Sequence, residues 1–442
     1  MIPLTLGEIA TITGGAVVNA EPGVVVSGPV EYDSRKVTAD GLFVAFAGEK
    51  VDGHDYVGAS AYLGTRDVGK PGVVVADQLA ALAALARAVL DRLPDLTVVG
   101  LTGSSGKTTT KDYIGQMLSR LGPTIAPPGS LNNELGFPYT VLKATEDTRF
   151  LVLEMGARGI GHIRYLTQVA PPRIGLVINV GVAHVGEFGS VEQIAVAKGE
   201  LVEALPADGV AVLNADDPLV AAMAARTSAR VVTFGDDAAA TVRATDVSLD
   251  ERGRASYLLG GHPVKLAVTG RHQVGNTLAA AAIAIELGMP VAEAAAALSE
   301  VGIASERRMD VFERPDGVTV IDDSYNANPA STAAALRALA AMGAGRRKIA
   351  VLGYMAELGE HERDGHVSVG RLAAELGVDR VIAVSPADPV LDGYGGGELA
   401  ADQTAAVGLL SDLTAGDVVL VKGSRYRTWD VVDSLRPEGV RP

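Results

Sequence analysis

Short apolar runs rich in β-branched residues recur along this chain, each bounded by glycine, proline or charge. LTVVGL at 96–101, FLVLE at 150–154, IGLVIN at 174–179, GVAVLN at 209–214 and RVVTF at 230–234 show no polar alternation, which suits strands buried on both faces of a parallel sheet. Between them the apolar positions switch to helical spacing. Tyr113, Ile114, Met117, Leu118 and Leu121 predict one helix, stopped by Gly122-Pro123. SVEQIAVAKGELVEAL predicts another, opening at Ser190 with Gln193 in capping-box spacing. Residues 241–270 read as antiparallel strands around turns at 251–253 and Gly260-Gly261, followed by alanine-rich helices from Thr277 and from Val291.

The flanks carry patterns of their own. Before residue 95, VSGPVEYDSRKV, LFVAFAG and GVVVAD read as strands and DYVGASAYLG as a short helix; a strongly helical stretch at 78–93 ends at Pro94. After residue 305, GVTVIDD, KIAVLG, RVIAV and DVVLV alternate with helical stretches at 331–342 and 367–376, a doubly wound pattern. GYGGG at 393–397 reads as a flexible loop. The expectation is an α/β protein of three domains: a small α/β unit at 1–94, a central phosphate-binding unit with a mainly parallel sheet at 95–305, and a Rossmann-like unit at 306–442. A length of 442 residues accommodates that division at about 150 residues per domain.

Composition narrows the chemistry. The absence of cysteine excludes disulfides, thiolate zinc sites and a cysteine nucleophile, and fits a cytoplasmic protein. A net charge of −15 argues against nucleic-acid binding, although a local cradle can still hold an anionic nucleotide. No apolar run approaches the about 20 residues of a membrane span, and the N-terminal stretch lacks the basic start of a signal peptide. The third unit has no GxGxxG fingerprint, so a dinucleotide cofactor is not indicated.

The strongest chemical signal follows the run LTVVGL. Gly103, Ser104, Ser105, Gly106, Lys107, Thr108 and Thr109 join a predicted strand to a predicted helix. Glycines let backbone N–H groups approach an anion, and the helix end adds partial positive charge. Lys107 can reach a terminal phosphate and the Thr108 hydroxyl can ligate Mg²⁺. Only two residues separate the glycines, fewer than in the general P-loop. Glu154, at a strand end, can hold Mg²⁺, polarise a water or face solvent; His184, beyond Asn179, can be a ligand or a surface residue. Lys198 sits in a helix, where a lysine normally faces solvent, with Ala197 and Gly199 leaving room around it. Arg308, Asp323, Tyr325, Asn326 and Asn328 flank the last junction. They can contact a ligand at a domain cleft or form turns before a helix. The polar clusters Asp33-Ser34-Arg35, Gly48-Glu49-Lys50 and Asp52-Gly53-His54-Asp55 can equally be turns on a solvated edge.

Together these positions resemble the Mur ligases, the ATP-dependent amide-forming enzymes of bacterial cell-wall synthesis. TGSSGKTT resembles their shortened P-loop; LEMG, NVGVAHVGEFGS and AVAKGEL resemble the central magnesium and phosphate positions; GRHQVGN resembles the adenine-site segment. The likeness runs over nearly the whole chain with the motifs in family order. DSRKVTADGLFVAFAGEKVDGHDYV resembles a uridine-nucleotide-binding segment, while SLNNELGFP, DDSYNANPAS, GYMAELGE and VKGSR look like the member that adds a dipeptide. SERRMDVFE departs mildly, with paired arginines where one is expected, and Arg308 is taken as the nucleotide contact, with Arg307 as the alternative.

The resemblance implies a mechanism and a set of roles. A substrate carboxylate attacks the γ-phosphate of ATP, and the amine of D-alanyl-D-alanine then attacks the resulting acyl phosphate of UDP-N-acetylmuramoyl-tripeptide. Lys107, Glu154, His184 and Lys198 are implied as catalytic residues. Thr108, Glu154, His184 and a carbamylated Lys198 are implied to hold Mg²⁺. ATP falls to Gly103 through Thr109 with Asn276, Arg308 and Asp323; the UDP-linked substrate to Ser34, Arg35, Gly48, Asp52, His54, Asn132, Asn133 and Glu134; the dipeptide to Tyr325, Asn326 and Asn328. The implied enzyme is a cytoplasmic monomer with neither a nucleic-acid partner nor membrane insertion.

Overall fold

The computed structural model describes residues 1–48, 51–182, 185–423 and 426–437. Its strands fall into a five-stranded sheet drawn from residues 16–74, a nine-stranded sheet from 97–269 and a six-stranded sheet from 310–422, with one further two-stranded pair near the start. Among the described residues no helix is long and apolar enough to cross a membrane.

In the first sheet Ala16–Val18, Gly72–Val74, Ala61–Gly64, Leu42–Val44 and Val30–Glu31 lie side by side, all parallel except the first. Two expectations are corrected here. DYVGASAYLG is not a helix: a 3-10 turn covers Gly53–Tyr56, and Ala61–Gly64 is a strand with Tyr62 and Leu63 fully buried on its opposite faces. A four-residue apolar run has no periodicity that separates a doubly buried strand from a helix, and its two parallel neighbours decide the outcome. VSGPVEYDSRKV forms strand only at Val25–Val26 and Val30–Glu31; beyond that Lys36 N–H donates to Asp33 O and Arg35 pairs with Asp33 at 2.7 Å, which turns the chain. The pattern also misses a helix at Leu6–Thr13, whose signal was Thr5 with Glu8 three residues on. Each side chain accepts the other's backbone N–H, at 3.2 and 2.8 Å.

The helix Gln78–Asp91 is found as expected. Leu82, Leu85, Ala86 and Val89 on its buried face join Phe137 and Leu166 in one continuous core, which fastens the first sheet to the central one. Tyr139 adds a polar rivet, donating from its hydroxyl to the Glu31 carboxylate at 3.0 Å.

The central sheet runs in the order Thr124–Ile125, Phe150–Glu154, Thr97–Thr102, Ile174–Val177, Val210–Asn214, Arg230–Gly235, Val242–Leu249, Arg254–Leu259, His262–Thr269. It is parallel up to Val242–Leu249 and antiparallel after it, with the turns where the sequence puts them. Thr97–Thr102 lies between Phe150–Glu154 and Ile174–Val177, so the chain leaves this strand in both directions across the sheet. Such a reversal opens a crevice at the carboxyl ends of the strands, where ligands bind in open α/β sheets. The first alanine-rich helix is Gln273–Glu286 and starts four residues before Thr277, because the buried polar Gln273 and Asn276 of its first turn face the crevice.

The third sheet orders Asp310–Glu313, Thr319–Asp323, Val418–Lys422, Lys348–Leu352, Arg380–Val384 and Glu398–Ala400, the first antiparallel and the rest parallel. The expected helices span Pro329–Met342 and Glu362–Glu375. The stretch 393–397 is not a loop throughout: the helix Pro389–Tyr394 includes Gly393 and stops at Gly395, where φ is 80°. Gly393 and Gly370 let this helix meet Glu362–Glu375 backbone to backbone. A Cβ on Gly370 would lie 1.9 Å from the Val390 carbonyl oxygen, and one on Gly393 1.9 Å from that of Val367. We expect Gly370→Ala to lower the urea-unfolding free energy by about 1–3 kcal/mol or more, since rigid backbone cannot yield to the added methyl. Equilibrium unfolding checks this, and parental stability would show that the helices separate at little cost.

Candidate active site

The crevice at the switch point is closed from the other side by the third unit, leaving a cleft of about 410 Å³. Its floor is the turn after Thr97–Thr102. Gly106 enters the helix Lys107–Leu118 with φ 80°, and no side chain caps that helix, so its first N–H groups are left for a ligand. Gly106 is needed twice over: the dihedral suits glycine, and a Cβ would stand 2.8 Å from Asn276 Oδ1. The turn is held from outside by Asn179, whose Oδ1 accepts the N–H of Ser104 at 2.9 Å and of Ser105 at 3.0 Å while its Nδ2 donates to Ser105 O at 3.1 Å. Ser104 Oγ accepts Gly181 N–H at 2.9 Å.

Polar side chains converge above this floor. Lys107 folds back to donate to Gly103 O at 2.7 Å. Burial lowers its ammonium pKa and the nearby Glu154 carboxylate opposes that shift. Glu154 is 3% exposed. Its Oε2 accepts from Thr108 Oγ1 at 2.9 Å, and its Oε1 accepts from Ser130 Oγ and from Asn132 Nδ2, both at 2.7 Å. Arg308 reaches over from the third unit to donate to Thr108 Oγ1 at 3.2 Å, with its guanidinium 4.1 Å from the centre of the Tyr325 ring; its Nε is buried without a partner among the described residues.

Lys198 departs from the ordinary helix lysine. It lies in Val191–Glu203, opened by Ser190 accepting the Gln193 N–H at 3.3 Å, and is 4% exposed. Among the described residues it has neither a hydrogen-bond partner nor a carboxylate partner. Burial pushes its amine well below the usual lysine range, and the Lys107 charge lowers it further. His184 lies outside the described residues.

The third unit supplies the roof. Asp323 Oδ1 accepts Met309 N–H at 3.2 Å, and Asp323 Oδ2 pairs with Lys422 Nζ at 2.7 Å. Burial lowers the Lys422 pKa, with Asp323 opposing. Burial also lowers that of His272, which lines the same cleft. Tyr325 and Asn326 line the opening; Asn328 also faces it, but its Oδ1 accepts the Ser331 N–H at 2.9 Å and caps the helix Pro329–Met342. The turn-forming and cleft-facing alternatives thus hold together for Asn328.

The cleft therefore brings together Ser104, Ser105, Gly106, Lys107, Thr108, Thr109, Glu154, Lys198, Asn276, Arg308, Asp323, Tyr325, Asn326 and Asn328 from the expected set. Gly103 lies beneath it and contributes its carbonyl. The residues expected on a UDP-linked substrate divide differently. Asn132 is tied to Glu154, which puts it at the phosphate end of the cleft. Asn133 Oδ1 accepts Gly136 N–H at 2.8 Å, and Glu134 lies 2.9 Å from His162. Ser34, Arg35, Gly48, Asp52 and His54 do not line the cleft. His54 is 4% exposed with both ring nitrogens engaged, Nδ1 by Asp52 at 2.6 Å and Nε2 by the Thr65 N–H at 2.9 Å, so the pair braces its own loop. Asn179, Ser130 and Lys422 lie within stretches quoted for the resemblance, but none of them receives a role of its own there. Each stands just beyond or at the end of an apolar run or beside a glycine, and that position was the available signal.

Comparison with known proteins agrees with this geometry. Residues 101–284 match the Mur ligase middle domain and residues 307–425 the Mur ligase glutamate ligase domain. The UDP-N-acetylmuramoyl-tripeptide–D-alanyl-D-alanine ligase of Mycobacterium tuberculosis is 47% identical over 96% of each chain. The Escherichia coli protein of the same name is 36% identical over 99% of this chain and 100% of its own. The crystal structure of MurF from Acinetobacter baumannii superposes with a TM-score of 0.88 at 30% identity over 98% of both chains. MurF from Thermotoga maritima, in complex with ADP, gives 0.79 at 29% identity over 92% of this chain and 96% of that one. Motifs, three-sheet architecture and whole-length similarity lead to one conclusion: the chain belongs to the Mur ligase family.

Proposed function

We propose that this chain is an ATP-dependent ligase joining D-alanyl-D-alanine to UDP-N-acetylmuramoyl-tripeptide, giving the pentapeptide precursor, ADP and phosphate. The observation that carries the reading is the convergence, in one cleft, of an uncapped helix N-terminus with Lys107, Thr108, Glu154 and Lys198 from one unit and Arg308, Asp323 and Asn326 from another. The 47% identity to a relative bearing that reaction in its name supports the choice of substrates. Domains divided after residues 94 and 305 are supported by sheets drawn from 16–74, 97–269 and 310–422. ATP and a UDP-linked substrate suit a cytoplasmic enzyme, and a cleft assembled from one chain suits a monomer.

In this reading the phosphates of ATP lie over the turn 103–106, where backbone N–H groups and the helix end offset their charge. Lys107 exchanges Gly103 O for the terminal phosphate. The tripeptide carboxylate attacks phosphorus in line, the bond to ADP breaks, and an acyl phosphate forms. The dipeptide amine then attacks the acyl carbon and phosphate leaves. Both steps depend on alignment and on offsetting charge rather than on a protein nucleophile. The roof residues exclude water, which would otherwise hydrolyse the acyl phosphate. Asp323, already fixed by Lys422, is placed to accept from the ribose, and Asn276 flanks the turn on the adenine side. The UDP moiety falls to the first unit around Ser34, Arg35 and Gly48, with Asp52 and His54 bracing that loop. Asn133 lines the cleft itself, and Glu134 follows it, paired with His162.

A hydroxyl and a carboxylate in contact, Thr108 and Glu154, are hard oxygen donors of the kind Mg²⁺ takes, and they would hold it with His184 and a carbamylated Lys198. The ion would supply Lewis-acid charge neutralisation between the reacting anions. Carbamylation needs a neutral amine, and the burial of Lys198, which has no partner among the described residues, favours that form: CO₂ carbon bonds to Nζ, one proton leaves, and the neutral amine becomes an anionic oxygen ligand.

Phosphate release should require ATP, UDP-N-acetylmuramoyl-tripeptide and D-alanyl-D-alanine together, and Lys107→Ala should lower it by orders of magnitude. Strong ATPase activity without either peptide would overturn the ligase reading. Asn326→Ala should raise KM for the dipeptide more than for ATP, in initial-rate measurements. Asn328→Ala should do so while also losing about 1 kcal/mol of stability with the cap. An effect confined to ATP would move this loop to the nucleotide. Lys198→Ala should be nearly inactive and partly restored by formate or acetate; near-normal turnover at saturating Mg²⁺ would remove Lys198 from the metal.

A further inference from the structure

The proposed chemistry leaves unused one of the most deeply buried ion pairs among the described residues. Lys111 and Asp112 follow Thr108 in the phosphate-loop helix, their side chains only 3% and 1% exposed and 3.4 Å apart. Lys111 Nζ donates to Pro127 O at 2.5 Å and Gly129 O at 2.6 Å. Asp112 Oδ2 accepts the Ser305 N–H at 2.8 Å and Oδ1 accepts from Ser305 Oγ at 3.1 Å. Ser305 Oγ in turn accepts the Gly129 N–H at 2.9 Å, closing a ring of four residues.

Ser305 is the last residue fixed to the central unit before the chain crosses to the third. Arg307 and Met309 follow with φ of 60° and 53°, a conformation that residues other than glycine rarely adopt. Both are pinned on the far side, Arg307 by Asp433 at 3.0 Å and Met309 by Asp323 at 3.2 Å. Arg308 stands between these two anchors and reaches back to Thr108. The distance from ring to phosphate site is short on the other branch as well, because Ser130, next to Gly129, donates to Glu154.

We infer that Asp112 and Ser305 are positioning residues that fix the start of the crossing segment on the phosphate-loop helix, and so set where the Arg308 guanidinium sits above Thr108. The inference rests on the proposed reading of Arg308 as a nucleotide contact, placed at the terminal phosphate by its reach to Thr108. A ring that merely glued two units together would weaken every nucleotide equally and act independently of Arg308. A ring that acts through Arg308 affects only the ligand carrying a γ-phosphate.

The test is a double-mutant cycle of Ser305→Ala and Arg308→Ala, read by calorimetric affinity for ADP and for β,γ-imido-ATP and by kcat for dipeptide-dependent phosphate release. Each single variant should bind imido-ATP about tenfold more weakly, a change of about 1.4 kcal/mol, and hold ADP affinity within about twofold. The double variant should be no worse than Arg308→Ala alone, in affinity and in kcat. Additive losses, an equal loss for ADP, or parental imido-ATP affinity in Ser305→Ala would each overturn the inference. The affinity arm needs no acceptor, so an unsubstituted protein without dipeptide-dependent turnover would sink the ligase reading and leave this result standing.

Discussion

A carboxylate buried at the end of a strand needs donors to replace the water it loses, and the cleft is arranged around meeting that need for Glu154. Its three donors come from different places: Thr108 from the phosphate-loop helix, Ser130 and Asn132 from the segment that follows it. The same bonds that solvate the carboxylate fix the hydroxyl of Thr108 and hold 130–132 against the sheet. Binding surface and scaffold are here one network, so a change at any donor alters the shape of the site as well as its polarity.

Around that centre the cleft gathers cations that burial makes costly. Lys107, Lys198 and Lys422 all have their charged forms disfavoured by desolvation. Among the described residues only Lys422 of these three is answered by a carboxylate within 3 Å. Lys107 leans on a carbonyl, and Arg308 on a hydroxyl and an aromatic face. A site built this way is electrostatically incomplete by itself, and polyanionic substrates complete it. The overall charge of −15 does not oppose this, because low-dielectric walls make nearby groups dominate over distant ones.

The phosphate loop and the central strands are legible in the sequence because their signals are contiguous: an apolar run, two glycines, a lysine and a threonine in a row. The roof is legible only in part. Asn326 and Asp323 share one short stretch, but Lys422 joins them through a parallel pairing of Thr319–Asp323 with Val418–Lys422, a contact about a hundred residues distant in the chain. Ser130 and Asn179 stand in singled-out stretches without a role of their own for the same reason, since a serine or asparagine beside a strand acquires its role only from what lies across the sheet. The first unit is least legible. Its strands are two to four residues long, below the length at which period distinguishes strand from helix, and Ala61–Gly64 is read wrongly on that account. Lys198 shows the limit from the other side: helix position alone favours solvent, and only the packed neighbours reveal a buried amine.

The antiparallel extension of the central sheet has a bearing on how copies of the chain meet. An open sheet presents unpaired N–H and C=O groups at its two margins, which are templates for strand addition and aggregation. Here one margin is Thr124–Ile125, too short to recruit a partner, and the other is His262–Thr269, which carries Pro263, an outward Lys265 and the helix Val291–Leu298 packed against it. Ser299, just past that helix, even accepts the Lys265 backbone N–H at 3.1 Å. The nine-stranded sheet is thereby blunted at both ends, and encounters between molecules at its margins are limited to side-chain contacts, which come apart again, rather than shared ladders, which do not.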